Sequence, residues 1–374
     1  MKRIIVNSLF DEIVYLSEHS TYLDKINNII DWKPIEVMLE SKYRWTKNAH
    51  GHPAYSPLIL FKILLFQTWE KLSDPQTEFA LKDRLSAIRF VGLSITGDVP
   101  DHSTISRFRS RLNELGILED LFLEVNRQLS EKGYMVKEKS SAVIDATIIE
   151  SSRRPKRMVE NIPVDREEEH DDFDDKSNTT KGDNDNSKTN SSESDESSDS
   201  SNTTISKMVI SSDPDAAFLK KGKKIHYGYK GFASCDSRQF VIGYHCTPAN
   251  VSEIKELVNF LPKLSLDEGT AIYADKGYAS AENRAHLRSM GFIDKIMHKG
   301  ARGRSLTEEQ KMENKVIGKF RGKIERIFGI IKRNQGLFES RFVGLSKVEF
   351  EFGLHCIAHN MKKAANMVNL SYSY

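Results

Sequence analysis

Cysteine is scarce in this chain of 374 residues. Its three cysteines, Cys235, Cys246 and Cys356, are odd in number, far apart and never arranged as a C-x-x-C pair. Disulfide frameworks and cysteine zinc sites need paired cysteines at short or regular spacing, so the sequence argues against both. The usage is typical of a protein of the reducing cytoplasm.

Long uninterrupted hydrophobic runs are also missing. The first twenty residues are broken by Asp11 and Glu12, and the most apolar later run, YSPLILFKILLFQTW, carries Lys62 near its centre. We therefore expect neither a signal peptide nor a membrane span. The hydrophobic fraction of 39% is ordinary for a globular protein, so the chain has enough apolar surface for a sizeable core.

The formal net charge of +2 is small because two regions of opposite sign cancel. Residues 165–200 hold 14 acidic and 4 basic residues, a charge of −10, which leaves +12 for the rest of the chain. The positive charge is concentrated in residues 220–230, with five lysines that include Lys230, and in residues 299–333, with 11 basic and 4 acidic residues. These runs indicate a polyanionic partner, and we expect Lys230 to contact DNA.

Apolar periodicity predicts an all-helical module over residues 1–132. Within it, PDHSTISRFRSRL places apolar residues on one side of a helix and Arg107 and Arg111 on the other, after Asp101 or Ser103 as the helix cap. The pattern suits the second helix of a helix-turn-helix, whose arginines would meet DNA phosphates or base edges. An ordinary surface helix has the same pattern, so both interpretations stay open.

A second region extends over residues 136–366, where short apolar strands are followed by helical stretches. This succession of strands and helices predicts an α/β domain after the helical one, and hence an α+β chain of several domains. Residues 160–206 are mostly Ser, Asn, Asp and Glu with almost no apolar side chains. Such a segment cannot offset its ordering entropy by burial, so we predict a disordered acidic insertion within the second domain.

Two aspartates stand at unusual positions in predicted strands. In SAVIDATIIE, Asp145 shares one face of the strand with Val143 and Ile149, and a charge buried there requires a counter-charge. In TAIYADKGYAS, Asp275 follows the end of a strand, and Gly277 allows a tight turn into the next helix. The carboxyl ends of strands are where α/β sheets place ligands.

A third acidic residue, Glu325, stands among the basic residues of RGKIERIFGIIKR in a predicted helix. At 100° per residue, Arg321, Glu325 and Lys332 share one stripe. An i,i+4 salt bridge between Arg321 and Glu325 would be sufficient to explain this acid. The neighbouring apolar stripe, which we expect to face the core, comprises Ile317, Phe320, Ile324, Ile327 and Ile331.

Taken together, Asp145, Asp275 and Glu325 supply enough carboxylate oxygens for two Mg²⁺ ions, for which Mn²⁺ would substitute. The chemistry that fits is cleavage and transfer of phosphodiester bonds, with Arg321 and Lys332 neutralising the phosphate charge.

In combination, these motifs resemble the DDE-type transposases of insertion sequences, in the group named after insertion sequence five. HPAYSPLILFKILLFQ and DHSTISRFRSRL resemble its N-terminal domain, and VIDATIIES, KKIHYGYKGF, YADKGY and RGKIERIFGIIKR follow in the order of its catalytic core. The resemblance implies a ribonuclease-H-like second domain in which Asp145, Asp275 and Glu325 are the catalytic and metal-binding residues.

The tail motif of that group is Tyr, two residues, Arg, three residues, Glu, six residues, Lys. Arg321, Glu325 and Lys332 match this spacing, but Gly318 stands at the Tyr position. The resemblance implies double-stranded DNA partners, namely terminal inverted repeats and target DNA, and a location at the nucleoid of a prokaryotic cell. Joining two ends of one element further suggests a homodimer on DNA.

Two alternatives share these features. A DNA-binding protein descended from a transposase would keep the basic surfaces but no longer cut, and a ribonuclease-H-like repair nuclease would share the metal chemistry without strand joining. A further pair, His355 and His359, has metal-ligand spacing, but its helix is otherwise apolar and has no evident acidic partner. We expect these histidines to lie in the core or an interface.

Overall fold

The computed structural model describes residues 21–43, 55–136, 140–155, 212–301 and 303–368. In this part of the chain a helical region comes first, and a mixed sheet with further helices follows. This order confirms the predicted α+β class. The acidic insertion predicted for residues 160–206 lies outside the described residues.

The N-terminal region is helical as predicted, and several of its helices begin with a capping side chain, including the expected cap at Asp101. Asp101 caps the helix of the arginine motif, because its carboxylate accepts a hydrogen bond from the backbone N–H of Thr104 at 2.7 Å. Ser56 accepts from the N–H of Leu58 at the start of the most apolar helix. The helices are α1 (Tyr22–Ile29), α2 (Trp32–Lys42), α3 (Pro57–Glu70), α4 (Asp74–Asp83), α5 (Leu85–Val91), α6 (His102–Glu114) and α7 (Leu118–Glu131).

Helix α3 is the apolar run that carries Lys62, and it is buried along most of its length. The Nζ of Lys62 donates to the side-chain oxygen of Asn27 at 3.0 Å and to the carbonyl of Phe90 at 3.3 Å, and lies 4.3 Å from the centre of the Trp32 ring. Burial lowers the pKa of Lys62 to about 7. Within the described ranges, no helix combines the length and the apolar character needed to cross a membrane.

The strands form one mixed sheet in the order β2-β3-β1-β5-β6, with β4 paired to β3 and β7 paired to β1. Strand β1 is antiparallel to β3 and parallel to β5, β3 is antiparallel to β4, and β5 is parallel to β6. This is the ribonuclease-H-like arrangement that the resemblance implied. The strands are β1 (Ser141–Ser151), β2 (Ala217–Lys221), β3 (Lys224–Cys235), β4 (Val241–Pro248), β5 (Ala271–Ala274), β6 (Ile293–Ile296) and β7 (Glu339–Ser340).

Four helices accompany the sheet in the described residues after 212. Helix α10 (Glu308–Gly329) packs on β1 and β5, and α11 (Leu345–Val368) packs on β4. Short helical turns of other kinds follow three of the regular elements, at Leu261–Leu264, Lys276–Tyr278 and Ile330–Asn334. The helices are α8 (Glu253–Phe260), α9 (Ala281–Ser289), α10 (Glu308–Gly329) and α11 (Leu345–Val368).

Helix α11 joins the two regions into one core. It packs on β4 and also on α1, α3 and α7 of the helical region, and the indole N–H of Trp69 donates to the carbonyl of Ala358 at 2.8 Å. The buried apolar residues of both regions form one continuous cluster that includes Cys235, Cys246 and Cys356, which are free thiols. The predicted boundary near residues 132–136 therefore lies between the helical region and the sheet, but the two regions share one hydrophobic core.

A buried carboxylate, that of Asp213, connects the chain segments on either side of the acidic insertion through hydrogen bonds. Asp213 accepts hydrogen bonds from the hydroxyls of Ser151, at 2.6 Å, and Tyr229, at 2.5 Å. Its backbone carbonyl accepts from the hydroxyl of Tyr227 at 2.6 Å, and Gly344 donates its N–H to the carboxylate at 3.2 Å. The end of β1 and the chain that returns after the insertion therefore lie side by side.

His355 and His359 are core residues, as predicted, with exposed fractions of 2% and 4%. In the amide orientation that satisfies both groups, Gln335 donates to Nδ1 of His355 at 3.0 Å, and the ring of His359 bonds the carbonyl of Gln239 at 3.1 Å. Burial lowers the pKa of His355 to about 3 and that of His359 to about 4. Both rings are therefore neutral at pH 7.

We predict that these two histidines make the protein acid-sensitive. Because both pKa values lie below the unfolded value of about 6.5, the unfolded chain takes up protons first, and stability falls as pH drops from 7 toward 4. Each histidine should remove roughly 2 kcal/mol of unfolding free energy between pH 7 and pH 5. Urea denaturation at the two pH values measures this loss, and His355→Leu should reduce it by about that amount.

The control is Cys356→Ala, which alters a buried neighbour that does not titrate between pH 5 and 7. It should lower stability at both pH values and leave the difference between them unchanged. If His355→Leu behaves in the same way, His355 is not a source of the acid sensitivity.

Candidate active site

Asp145 lies in the middle of β1, opposite Ala233 of β3, on the face that α10 covers. Its side chain is only 13% exposed. One oxygen accepts from the N–H of Ala146 at 2.8 Å and the other from a guanidinium nitrogen of Arg321 at 2.9 Å. Burial raises the pKa of Asp145 to about 6, although the Arg321 charge opposes the rise. The counter-charge expected from the sequence is therefore Arg321.

Asp275 stands at the carboxyl end of β5, next to Asp145. The parallel register pairs Val143 with Tyr273, and each aspartate follows its strand residue by two positions. The Asp275 carboxylate accepts from the N–H of Lys276 at 2.7 Å and so caps the helical turn Lys276–Tyr278. As the sequence predicted, α9 begins directly after this turn.

Glu325 is placed by α10, which approaches the same edge of the sheet. The predicted apolar stripe is buried at Ile317, Ile324, Ile327 and Ile331. Phe320 is partly buried and stacks on Tyr273 of β5, with ring centres 4.2 Å apart and planes 10° apart. This stack fixes α10 beside the strand that ends at Asp275. Glu325 then lies at the rim of the buried face, with its side chain 58% exposed.

All three carboxylates converge on the guanidinium of Arg321. Its nitrogens lie 2.9 Å from Asp145, 3.3 Å from Asp275 and 3.5 Å from Glu325. The i,i+4 salt bridge between Arg321 and Glu325 is thus present, but it is one edge of a larger ion network. The Arg321 side chain is 15% exposed, and its Nε has no hydrogen-bond partner among the described residues.

The donor chemistry of this network suits a divalent cation, because Mg²⁺ and Mn²⁺ prefer carboxylate oxygens. Its present arrangement is that of an ion pair, since the guanidinium stands between the acids. Within the part of the chain that the structure describes, no three His, Cys, Asp or Glu side chains are placed to hold a metal ion together. The three acids are therefore chemically suitable as metal ligands, but the Arg321 guanidinium occupies the position between them.

A fourth acid, Glu253 at the start of α8, borders this site and was not predicted. Its charge adds to burial in raising the pKa of Asp145, and a Cβ atom on Gly277 would lie 3.1 Å from its carboxylate. An acid in the first turn of a helix is common, so the sequence alone gave no sign of this role.

Lys230 is the partner of Glu253, which corrects the expectation that it contacts DNA. It is 3% exposed, its Nζ donates to the carbonyl of Val251 at 3.0 Å, and it lies 3.3 Å from the Glu253 carboxylate. A lysine so enclosed is not placed to reach a DNA phosphate. The basic run 220–230 is exposed at its beginning and buried at its end.

Lys332 is not among the cations that form salt bridges with the three carboxylates in the described residues. It belongs to the π-helical turn Ile330–Asn334, which follows α10 and breaks the regular spacing from which the common stripe was predicted. Its Nζ is 5.5 Å from the centre of the exposed Phe338 ring. Burial lowers the pKa of Lys332, and the carboxylate that opposes this shift is Glu150, near the end of β1.

Arg107 and Arg111 lie on the exposed side of α6, opposite the buried Ile105, Phe108 and Leu112. Both form hydrogen bonds with side chains of their own helix: Arg107 donates to Ser103 and Thr104, and Arg111 donates to Glu114. Phosphate oxygens could replace these exposed partners with little loss.

Arg109, between them, was not singled out by the sequence and is buried. It forms a two-pronged ion pair with Asp74, donates to Gln67 at 2.8 Å and lies 5.1 Å from the Phe342 ring. It therefore fixes α6 to α3 and α4 and to the segment that precedes α11.

Comparisons with known proteins agree along the chain. A family model described as a transposase domain (DUF772) matches residues 11–111, and one described as a transposase DDE domain matches residues 138–361. The transposase for insertion sequence element IS1106 of Neisseria meningitidis serogroup B is 35% identical over 263 residues, which is 70% of this chain and 78% of that protein. A cryo-EM structure of the piggyBac transposase synaptic complex with hairpin DNA aligns over 97% of this chain and 76% of that chain, with a TM-score of 0.41 and 11% identity.

The Lys230–Glu253 pair yields a stability prediction. Lys230→Met should leave Glu253 without its buried counter-charge and lower the unfolding free energy by about 3 kcal/mol. The double change Lys230→Met with Glu253→Gln should recover part of this loss, because no unpaired charge remains. Urea denaturation of the two single variants and the double variant measures the coupling.

Lys224→Met, at an exposed position on the same strand, is the matched control and should change stability by less than about 0.5 kcal/mol. Equal losses for Lys230→Met and Lys224→Met would contradict the pairing.

Proposed function

The chain belongs to the DDE transposases of insertion sequences, an enzyme class that cleaves DNA and transfers strands, and we propose that it acts on its own element. In this proposal it binds the terminal inverted repeats, cuts phosphodiester bonds at their ends and joins those ends to target DNA. The observation that carries the proposal is the convergence of Asp145, Asp275 and Glu325 on the guanidinium of Arg321, beside the carboxyl end of β5.

We propose that these three acids are the catalytic and metal-binding residues. They come from β1, from the end of β5 and from α10, and the sheet register and the Phe320–Tyr273 stack hold them together. Two Mg²⁺ ions, or Mn²⁺ in their place, would supply activation of the attacking hydroxyl and stabilisation of the departing oxygen. The contribution of the chain is to present hard oxygen ligands from three rigid elements at one place.

The basic residues lie at different places in the fold and are therefore suited to different parts of the DNA. In this proposal Arg321, which lies among the acids, meets the phosphate at the reacting position, whereas Lys332 interacts with Glu150 near the end of β1. Glu150 is five positions after Asp145 along β1, a distance of about 16 Å. Lys332 is therefore suited to contact a DNA phosphate further along the DNA strand than the phosphate that is cut.

Arg107 and Arg111 are suited to the backbone of the repeat, because both are exposed on one side of a capped helix. Joining the two ends of one element to a target requires two catalytic sites in the same complex, which favours a homodimer on DNA.

Cleavage of a terminal-repeat duplex with Mg²⁺ tests the catalytic residues. Asp275→Asn should lower the cleavage rate by at least about 10²-fold, because it removes a charged ligand, and should leave DNA binding in a gel-shift assay intact. Asp267→Asn, an exposed aspartate before β5, is the control and should cut normally.

Normal cutting by Asp275→Asn would refute this site. A wild-type protein that binds the repeat but never cuts it would favour the catalytically silent alternative, and cutting without strand joining would favour the repair nuclease.

The salt dependence of binding tests the arginines of α6. The double variant Arg107→Ala and Arg111→Ala should bind the repeat duplex more weakly, and the slope of log affinity against log salt should fall by about 2. Fluorescence anisotropy over a series of salt concentrations measures both. Arg127→Ala, an exposed arginine of α7, should leave the slope unchanged, and an unchanged slope in the double variant would exclude phosphate contacts by α6.

A further inference from the structure

We propose that Arg321 is a resident counter-ion of the three acids, which keeps divalent ions out of the site until DNA draws its guanidinium away. The inference rests on the proposed function, since it takes Asp145, Asp275 and Glu325 as the metal ligands. It makes metal loading dependent on DNA.

The first support is mutual exclusion. The guanidinium bonds Asp145 at 2.9 Å and reaches Asp275 at 3.3 Å and Glu325 at 3.5 Å. A Mg²⁺ ion needs oxygens at about 2.0–2.1 Å in octahedral geometry. A guanidinium and a divalent ion therefore cannot lie between the same three carboxylates, and each must displace the other.

The second support is that the guanidinium is not fully satisfied where it lies. Its Nε is buried and has no hydrogen-bond partner within the described residues. An enclosed donor without a partner lowers the stability of this position. The neighbouring acid Glu253 offers no competing attraction, because Lys230 already neutralises it. Among the described residues, the Arg321 guanidinium is held by the three carboxylates and by a weak contact with the sulfur of Met297 at 4.0 Å. A phosphate that offers several oxygens is a suitable replacement for the carboxylates.

The third support is space along α10. Side chains of a helix lean toward its N-terminus, so Arg321 extends over the turn that contains Gly318. A Cβ atom on Gly318 would meet only the end of Met297, at 3.5 Å, and one on Gly322 would meet nothing within 4 Å. The lack of side chains at Gly318 and Gly322 therefore removes two potential obstacles to movement of the guanidinium away from the acids while α10 stays in place.

Displacement by DNA makes the two ligands cooperative. If phosphate binding releases the acids, DNA must raise the metal affinity, and the metal must raise the DNA affinity by the same factor. The free protein then holds no metal in a position to cut DNA at random.

The test titrates Mn²⁺ into the full-length protein by calorimetry. Arg321→Gln, without DNA, should bind Mn²⁺ at least tenfold more tightly than the wild type. Mn²⁺ should also raise its melting temperature by more than that of the wild type. Adding an end duplex to the wild type, with the titration of duplex alone subtracted, should bring its affinity to that of Arg321→Gln. Asp145→Asn combined with Arg321→Gln should abolish the gain.

Lys319→Gln removes one positive charge from an exposed position of the same helix and should bind Mn²⁺ like the wild type. Arg321→Lys, which keeps the charge but contacts fewer oxygens, should show a gain in Mn²⁺ affinity between those of the wild type and Arg321→Gln. This variant replaces Arg321→Gln in the test if Arg321→Gln does not fold. The proposal is overturned if neither variant binds Mn²⁺ more tightly than the wild type, or if DNA leaves the wild-type affinity unchanged. A wild type that cuts DNA in that case keeps the proposed function and loses only this inference.

Discussion

Repulsion among carboxylates is the constraint around which the site is built. Two carboxylates 5 Å apart repel by about 3 kcal/mol at an effective dielectric constant of 20, and three of them on separate elements would push those elements apart. The fold resists this by pairing β1 with β5 in fixed register and by stacking Phe320 on Tyr273. Arg321 then supplies the positive charge that contacts all three acids within the described residues.

A second pair of opposite charges, Lys230 and Glu253, lies beside the three carboxylates. Glu253 is a further negative charge beside Asp145, and Lys230 neutralises it from inside the sheet. Helix α11 gives this arrangement a firm foundation, because it is buried against both the sheet and the N-terminal helices. Arg109 and Phe342 add a contact between α6 and the approach to α11. The elements that carry the exposed arginines of α6 and the three carboxylates therefore pack on one continuous hydrophobic core.

Features carried by local pattern could be predicted from the sequence. The stripe of isoleucines fixed the buried face of α10, and a charged residue inside an apolar strand indicated that Asp145 needs a positive partner. Features that depend on how distant segments meet could not. The enclosure of Lys230 involves its contacts with Val251 and Glu253, which are distant in sequence. The first turn of α8 gave no sign that Glu253 would border the site. Lys332 was misplaced because the regular helical period ends at Gly329, where a π-helical turn begins.

The hydrogen bonds of Asp213 have a consequence for how this protein tolerates change. Ser151 and Tyr229 hold this carboxylate where the chain leaves β1 and where it returns. The entropy of closing a loop grows only with the logarithm of its length, so residues added or lost between these anchors alter the closure free energy little. The register of β1, and with it the position of Asp145, therefore depends on these anchors and little on the number of residues between them.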